Sequence, residues 1–429
     1  LGDAVPLLNL PGLSMDAERT IETATGLTIG VKRRPEGLAH CPQCGGELAP
    51  NGTRRVTYAD LPIRGKPTFL DWDRQRFLCK ACGKTSSDDH PELHAQFLMT
   101  MRLYDWIGDR SLRTTFSAVA SDTGLDPRSI RRVFAEWSAA KMKLQPFVTP
   151  KWLGMDEVHL LKKARGVLTN LDENTMVDLL PDRSMKTMAL RISQFDRKDQ
   201  IELVAMDMWR PYRTVIEQAL PQAKIVIDKW HVLRMANEGL ERIRKSYRAD
   251  LSPARRRRLM HDRFLLARRE KDLKPGERLI LEAWTNEFKP LGAAWKAKEA
   301  FYDIYTLDAP RHAREAYLAW QRKLSPEMKV AFQPLITAMG NWSEPVFNYF
   351  DFRITNAYTE SLNRLIGDTD RIGRGYSFDV LRTRMLLARG ALKQEGLPPG
   401  TFGYREDGEQ PFTGVHIPTL TDMIENGQW

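Results

Sequence analysis

The sequence predicts a multidomain α+β protein, in which a four-cysteine zinc ribbon and a helix-turn-helix precede a mixed sheet flanked by helices and interrupted by an all-helical stretch. Three observations predict it. All four cysteines fall in two Cys-x2-Cys pairs, and a helical pair with a glycine turn follows them. From residue 151 onward, runs of strand character alternate with helical periodicity before a long basic helical tract.

At 429 residues, 42% hydrophobic and 28% charged, the chain is long enough to bury several cores. Lysine plus arginine exceed aspartate plus glutamate by 65 to 55, a net charge of +10 that favours a polyanionic partner. No apolar stretch approaches the roughly 20 residues of a membrane span. Residues 1–14 carry no basic start of a secretion signal, so a cytoplasmic protein with no membrane partner is expected.

Cys41-Pro42-Gln43-Cys44 and Cys79-Lys80-Ala81-Cys82 are each followed by a glycine, Gly45 and Gly83, that lets the chain turn back as a knuckle. Two knuckles supply the tetrahedral thiolates that a structural Zn²⁺ takes. The 34 intervening residues exceed ordinary ribbon spacing and must carry structure of their own, with Ile63-Arg64-Gly65-Lys66-Pro67 as a hairpin turn. Two disulfides, which would need a secretion route, or free thiols are the plainer alternatives.

Residues 116–139 read as a helix-turn-helix. Phe116, Val119 and Ala120 open an apolar face, Gly124 supplies the turn, and Asp126-Pro127 give an N-cap followed by proline at the first helical position. Ile130, Val133, Phe134 and Trp137 make the buried stripe of the second helix. Arg128, Ser129, Arg131 and Arg132 are left facing outward, where such motifs meet the major groove of DNA. An ordinary helical hairpin is the alternative.

Residues 152–161, 166–170, 176–180, 201–206 and 224–227 read as strands, with Asp172-Glu173-Asn174 as a turn and 212–220 as a short helix. Asp156, Asp207 and Asp228 each follow an apolar run, and an acid at the end of a buried strand points into a crevice. Further on, Tyr358, Leu362, Leu365 and Ile366 form the core face of a helix, which puts Glu360 on the opposite stripe with Asn356, Asn363 and Arg364. Carboxylates from distant parts of the chain suit two hard divalent cations, which activate an attacking oxygen and steady a leaving oxygen at one phosphorus. Singly, each acid reads as a turn, a cap or a solvated side chain. The sequence does not rank Asp207 against Asp228, and His231 either assists the site or caps and packs a helix start.

The tract 232–345 is helical and basic, with Arg255, Arg256, Arg257 and Arg258 in a row and Trp284, Trp295 and Trp320 interleaved. Cations beside aromatics suit a base-stacking surface, and buried tryptophans with solvated charges are the plain alternative. Arg371 and Arg374, then Arg382, Arg384 and Arg389, make either DNA contacts or a basic C-terminal helix. Beyond Pro398 the sequence carries no signal.

The zinc knuckles, the helix-turn-helix, Met155-Asp156-Glu157, Met206-Asp207-Met208-Trp209, Asp228-Lys229-Trp230-His231 and the stretch from Asn356 to Asn363 occur in that order. The combination resembles bacterial insertion-sequence transposases of the ISL-three type over nearly the whole chain. Leu8-Asn9-Leu10-Pro11-Gly12 and Ala59-Asp60-Leu61-Pro62 look like that family too. The resemblance implies an RNase H-like core with acids on strand one, on strand four and on a late helix. Those are Asp156, Asp207 and Glu360, holding two Mg²⁺ or Mn²⁺ ions. Asp228 and His231 then match the C/D-x-x-H signature seen after the second acid in related DDE transposases. Asn356 and Asn363 would flank Glu360 as supporting or DNA-contacting groups, and Arg364, Arg371 and Arg374 would touch DNA.

The implied chemistry is strand cleavage at the element's ends by water, then attack of the freed 3′-hydroxyl on target DNA. The helix-turn-helix and zinc module would read terminal inverted repeats, with a homodimer on the DNA. The expected parts are an N-terminal segment (1–36), a zinc-binding ribbon (37–92), a helix-turn-helix domain (93–148), a core split into 149–232 and 346–372 around a helical insertion (233–345), and a C-terminal helix and tail (373–429). A catalytically silent DNA-binding protein derived from a transposase and a stand-alone RNase H-like nuclease are the rival classes. Intact acids argue against the first, and end-recognition modules against the second.

Overall fold

The structure, a computed structural model, describes residues 10–33, 40–144 and 147–390. Leu8 and Asn9 of the opening motif, and the tail beyond Pro398, lie outside the described residues. The chain divides between residues 145 and 146 into two compact units, and each carries a five-stranded mixed sheet.

In the first unit, β1 (Leu13–Glu22), β2 (Leu27–Arg33), β3 (Leu48–Ile63), β4 (Lys66–Cys79) and β5 (Thr85–Ser87) lie in the order β1-β2-β4-β3, with β5 against β4. β2 runs parallel to β4, and the other pairs are antiparallel. Leu27, Ile29 and Val31 on β2 and Leu70 and Trp72 on β4 recur at every second residue and share a core with Tyr58. The long span between the cysteine pairs is the β3–β4 hairpin. Its two loop residues, Arg64 and Gly65, both have positive φ, 53° and 73°, as a two-residue loop between right-twisted strands requires. β1 and β2 had no counterpart in the sequence reading, because an irregular register between Asp16 and Ile21 breaks the two-residue period that would reveal β1.

Three helices complete this unit: α1 (Met101–Arg113), α2 (Phe116–Thr123) and α3 (Pro127–Leu144). Gly124 ends α2 at φ 68°, and Asp126 accepts the main-chain N–H of Arg128 at 2.7 Å to start α3. Val119, Ile130 and Val133 are fully buried between the helices. Asp60 is also fully buried and accepts from Thr100 Oγ1 at 2.8 Å and Arg102 Nε at 2.7 Å, which ties α1 to β3.

The second unit opens with an antiparallel meander, β6 (Trp152–Leu160), β7 (Lys163–Asn170) and β8 (Thr175–Leu179). After α4 (Met185–Ser193) come β9 (Leu203–Met206), α5 (Arg210–Ala219) and β10 (Lys224–Ile227). The strand order is β10-β9-β6-β7-β8, with β9 and β10 parallel to β6, the geometry that helical crossovers permit. β9 and β10 are apolar on both faces, so they read as continuous hydrophobic runs.

α6 (Lys229–Ser246) opens a helical region that leads to helices Ala357–Gly373 and Phe378–Arg389. Trp284, Trp295 and Trp320 lie in its core, 5–8% exposed, and the indole N–H groups of Trp284 and Trp320 donate to Asp262 and to the Ala297 carbonyl. A stacking surface built from these three is therefore excluded, since their apolar area closes the helical core. Arg382 pairs with Asp178 at 2.8 Å, and Arg384, 5% exposed, donates to Tyr376 Oη at 2.7 Å, so both help to pack the last helix. Among the described residues no helix is long and apolar enough to cross a membrane.

Candidate active site

Strand register aligns three acids. Met155 on β6 lies opposite Met206 on β9, and Met206 lies opposite Ile227 on β10. The residues that follow therefore stand side by side, Asp207 and Asp228 just past the ends of β9 and β10 and Asp156 in the middle of β6. β6 runs on to Leu160, so Asp156 does not end its strand as the sequence led one to expect. Their surroundings then separate them. Asp228 is 3% exposed and both its oxygens accept main-chain N–H groups: Oδ1 from Trp230 at 2.8 Å, as the N-cap of α6, and Oδ2 from Asn356 at 2.6 Å.

Asp156 and Asp207 instead line a cleft of about 770 Å³. Glu157, Trp209, Tyr212 and His231 share their wall, α6 adds Arg234, Glu238 and Arg242, and helix Gln333–Asn341 presents Gln333, Thr337 and Asn341 at four-residue spacing. Glu360 sits in the first turn of helix Ala357–Gly373. His231 stands between acids, its Nε2 2.6 Å from Asp207 Oδ1 and 3.8 Å from Glu360 Oε1. Asn363 Nδ2 donates to Asp156 Oδ2 at 2.7 Å. Asp156, Asp207, Glu360, His231 and Asn363 thus come together.

A buried brace holds the glutamate's helix against β6. Asn356 is fully buried, so it does not reach DNA; its Nδ2 donates to the Met155 carbonyl at 3.2 Å, and its Oδ1 accepts from Thr359 Oγ1 at 2.6 Å. Thr359 Oγ1 lies 2.7 Å from Thr169 Oγ1 on β7. The three polar groups meet over Gly154, where a Cβ would sit 2.2 Å from Thr169 Oγ1 and 2.7 Å from Thr359 Oγ1. Sequence reasoning passed over Gly154, Thr169 and Thr359. A glycine inside an apolar strand was the available signal, since it marks close approach of another element.

Crowding of acids sets the charge state of the cleft. Burial, and then the neighbouring Asp207 charge, push the Asp156 carboxyl up to about 7. Burial also raises Glu360, with Asp228 and Asp207 adding to the shift and His231 and Arg364 opposing it. Burial works against a charged His231, but the Asp207 hydrogen bond and the negative charges of Asp207, Asp228 and Glu360 outweigh it, and its pKa is raised. Tyr212 Oη and Asn363 Oδ1 are buried without a hydrogen-bond partner. Hard oxygen donors suit a divalent cation such as Mg²⁺ or Mn²⁺, but as they stand the three acids are not drawn close enough to form a ligand cluster; among the described residues only the four cysteines do.

In the first unit, the sulfurs of Cys41, Cys44, Cys79 and Cys82 all lie within 4.8 Å of one another, with Cys41–Cys82 at 3.8 Å and Cys44–Cys79 at 3.5 Å. Thiolates about 2.3 Å from a tetrahedral zinc stand roughly 3.8 Å apart, so the sulfurs match its geometry. Gly45 and Gly83, at φ 73° and 68°, close the knuckles by donating to the Cys41 and Cys79 carbonyls at 2.9 and 3.0 Å. The Cys82 main-chain N–H, 3.5 Å from Cys79 Sγ, helps hold that thiol down at about 6. On α3, Arg128, Arg131 and Arg132 are exposed and Ser129 is half-buried; the Arg131 and Arg132 guanidinium groups rest over Phe116 and Phe97 at 5.9 and 5.6 Å. In the second unit Arg364, Arg371 and Arg374 are exposed, with Arg371 paired to Asp368.

Residues 38–82, which span both knuckles, match a family described as the zinc-finger of transposase IS204/IS1001/IS1096/IS1165. Residues 153–385, from β6 into the last helix, match the ISL-three family described as Transposase. The chain belongs to this transposase family. It is also similar to the transposase for insertion sequence element IS1001 of Bordetella parapertussis, 23% identical over 362 residues that cover 82% of this chain and 89% of that protein. Family membership makes the chain an enzyme that acts on DNA and its cysteine cluster a structural zinc site. For such a transposase, Asp156, Asp207, Asp228 and Glu360 all fall inside the matched span.

Proposed function

We propose that this chain binds the terminal inverted repeats of an insertion sequence, cuts at their tips with water, and joins the freed 3′-hydroxyl to target DNA. The observation that carries the reading is the pairing of Met155 with Met206, which sets Asp156 beside Asp207 in the cleft that His231 links to Glu360. An antiparallel β6-β7-β8 half joined to a parallel β9-β10 half supports an RNase H-like core, and the helices between α6 and Ala357–Gly373 correspond to an insertion within it.

Asp156, Asp207 and Glu360 would hold two Mg²⁺ or Mn²⁺ ions. When bound, such ions lower the pKa of the attacking oxygen and offset charge on the leaving one. Asn363 fixes the Asp156 carboxylate, and His231 orients Asp207 while placing positive charge beside it. Asp228 does not face substrate; it caps α6 and anchors Asn356, and so holds Glu360 in position.

The α2–α3 pair acts as the helix-turn-helix, with Arg128, Ser129, Arg131 and Arg132 toward the major groove and the zinc ribbon beside them in the same recognition task. Arg364, Arg371 and Arg374 contact phosphates. Two element ends must be held at once, so the working form on DNA is a homodimer, acting in the bacterial cytoplasm.

The test is cleavage of duplex DNA carrying the element's own ends, with Mg²⁺ or Mn²⁺, by the native chain, Asp207→Ala and Asp228→Ala, with binding measured in parallel. Cutting at the repeat tips that is lost in Asp207→Ala while binding persists supports the reading. Tight binding without any cutting by the native chain would point to a silent DNA-binding factor. Cutting without end preference would point to a nuclease.

A further inference from the structure

We propose that Trp209, which lines the acid cleft, and Trp230, beside His231 of its wall, grip unpaired nucleobases, so that the duplex is opened at the point of cutting. The inference rests on the transposase reading, because it takes the cleft as the place where DNA is cut.

Trp209 and Trp230 are 40% and 48% exposed, whereas Trp284, Trp295, Trp320 and Trp342 in the same unit are 5–8% exposed. Leaving two indoles in water forgoes much of the stabilisation that burying them would give. Both flank the acids: Trp209 lines the cleft two residues after Asp207, and Trp230 stands edge-on to His231 with ring centres 4.9 Å apart. Each indole carries a guanidinium on its face, Arg183 at 4.9 Å from Trp209 and Arg234 at 5.2 Å from Trp230. Arg183 is itself held by Glu157 at 2.5 Å, which fixes the stack relative to the acid wall.

The pattern continues away from the acids. Arg234 and Glu238 also line a second hollow of about 220 Å³ bounded by Arg263 and Phe264. Phe264 is 64% exposed and has Arg263 over its ring at 4.6 Å.

Exposed π faces, each beside a cation, suit a nucleic acid strand: bases stack on the rings and phosphates meet the guanidinium groups. In a duplex the faces of each base are already covered by its neighbours, so only an unpaired strand offers what these rings can take. Stacking of this kind tolerates any base, which fits a site that must act wherever the repeat-reading unit delivers it.

Two readouts test the proposal on the full chain with its zinc in place. The first is binding of an oligothymidylate of about 12 nucleotides, without added Mg²⁺, to the native chain, to Trp209→Ala with Trp230→Ala, and to the matching phenylalanine variants. The alanine pair should lose roughly 5- to 100-fold in affinity, and the phenylalanine pair should stay within a few-fold of native. The second is cutting of the element's ends, either fully paired or mismatched beside the cut. The alanine pair should cut paired ends much more slowly and regain most of the loss on mismatched ends. Unchanged single-strand binding, or equal slowing on both kinds of end, overturns the proposal. Loss of self-association in the alanine pair, with strand binding intact, would assign the indoles to a protein interface instead. If the native chain neither binds nor cuts its repeat ends, the transposase reading fails, and the oligothymidylate result still decides whether the rings stack on bases.

Discussion

The main-chain N–H of Asn356 donates to Asp228 Oδ2 at 2.6 Å, joining residues 128 positions apart in the sequence. This contact, more than any motif, distinguishes Asp228 from Asp207. One carboxylate is buried and satisfied by backbone, and the other faces a cleft. Asp228→Ala should therefore cost about 2–4 kcal/mol of stability, the loss of an N-cap plus a buried donor left unpaired. Asp207→Ala should leave the melting temperature nearly unchanged while abolishing metal-dependent cutting. Thermal melts beside cleavage assays check both, and equal melting of the two variants would remove the distinction.

Gly154→Ala should act on the site from beneath. Its new methyl would press on Thr169 Oγ1 and Thr359 Oγ1 and lift the helix that carries Glu360. Overpacking of this kind costs about 1–3 kcal/mol, and cutting should fall while binding of repeat DNA persists. Adding Thr169→Ala should recover part of the loss. Native-level cutting by Gly154→Ala alone would show that the brace does not position the acid.

A pH experiment on the metal-free chain follows from Asp156. Its carboxyl rises from 3.8 to about 7 on folding, because of burial and then Asp207. Between those values the folded chain keeps a proton that the unfolded chain releases, so this group lowers stability progressively as pH rises from about 4 to about 7. Asp156→Asn removes that penalty. The variant should be more stable than native by roughly 2–4 kcal/mol at pH 8 and nearly equal near pH 4. Denaturant melts across that range, free of divalent cations, measure the difference, and a gap that stays constant with pH would count against the raised carboxyl. Mg²⁺ should close the gap by stabilising only the native chain.

Zinc should be present at about one ion per chain and should govern the first unit alone. A strong chelator, or Cys79→Ser, should loosen the β3–β4 hairpin and abolish binding of repeat ends, while the second unit keeps its melting transition. Metal analysis with calorimetry reads both, and repeat binding unaffected by complete metal loss would separate the ribbon from recognition.

Arg131→Ala and Arg132→Ala should weaken binding to repeat DNA. A change in which base pairs are preferred would mean base contact. A salt slope shallower by about one per arginine would mean phosphate contact. No change in either would move the recognition surface elsewhere.

The sequence made the second sheet legible because β9, β10 and the first half of β6 are short apolar runs, each followed by an aspartate, and the cysteine knuckles because their spacing is chemically restrictive. It left β1 unseen, since an irregular register interrupts its alternation, and it left β2 unseen although Leu27, Ile29 and Val31 alternate there. For Trp284, Trp295 and Trp320 it favours a core position one by one and leaves a shared stacking surface open, because helical periodicity does not reveal which face a neighbouring helix covers. The exposure of Trp209 and Trp230 is not legible in their motifs, because solvent contact depends on the whole fold. The choice between Asp207 and Asp228 is open in the sequence for a similar reason: both follow apolar strands, and the cap of α6 and the distant Asn356 amide that set Asp228 apart appear only in the fold.

Asn363 grips Asp156 across 207 positions of sequence, so the cleft cannot be complete until nearly all of the second unit has been made. The first unit, by contrast, makes its own compact set of contacts from residues 1–145. A ribosome that stops before residue 356 would therefore release a product with its cysteine knuckles and α2–α3 pair intact but without the glutamate's helix. On the reading given above, such a fragment would occupy element ends without cutting them, and every abortive translation event would act as a competitor of the full-length enzyme. Interrupted synthesis would then restrain the element's own mobility.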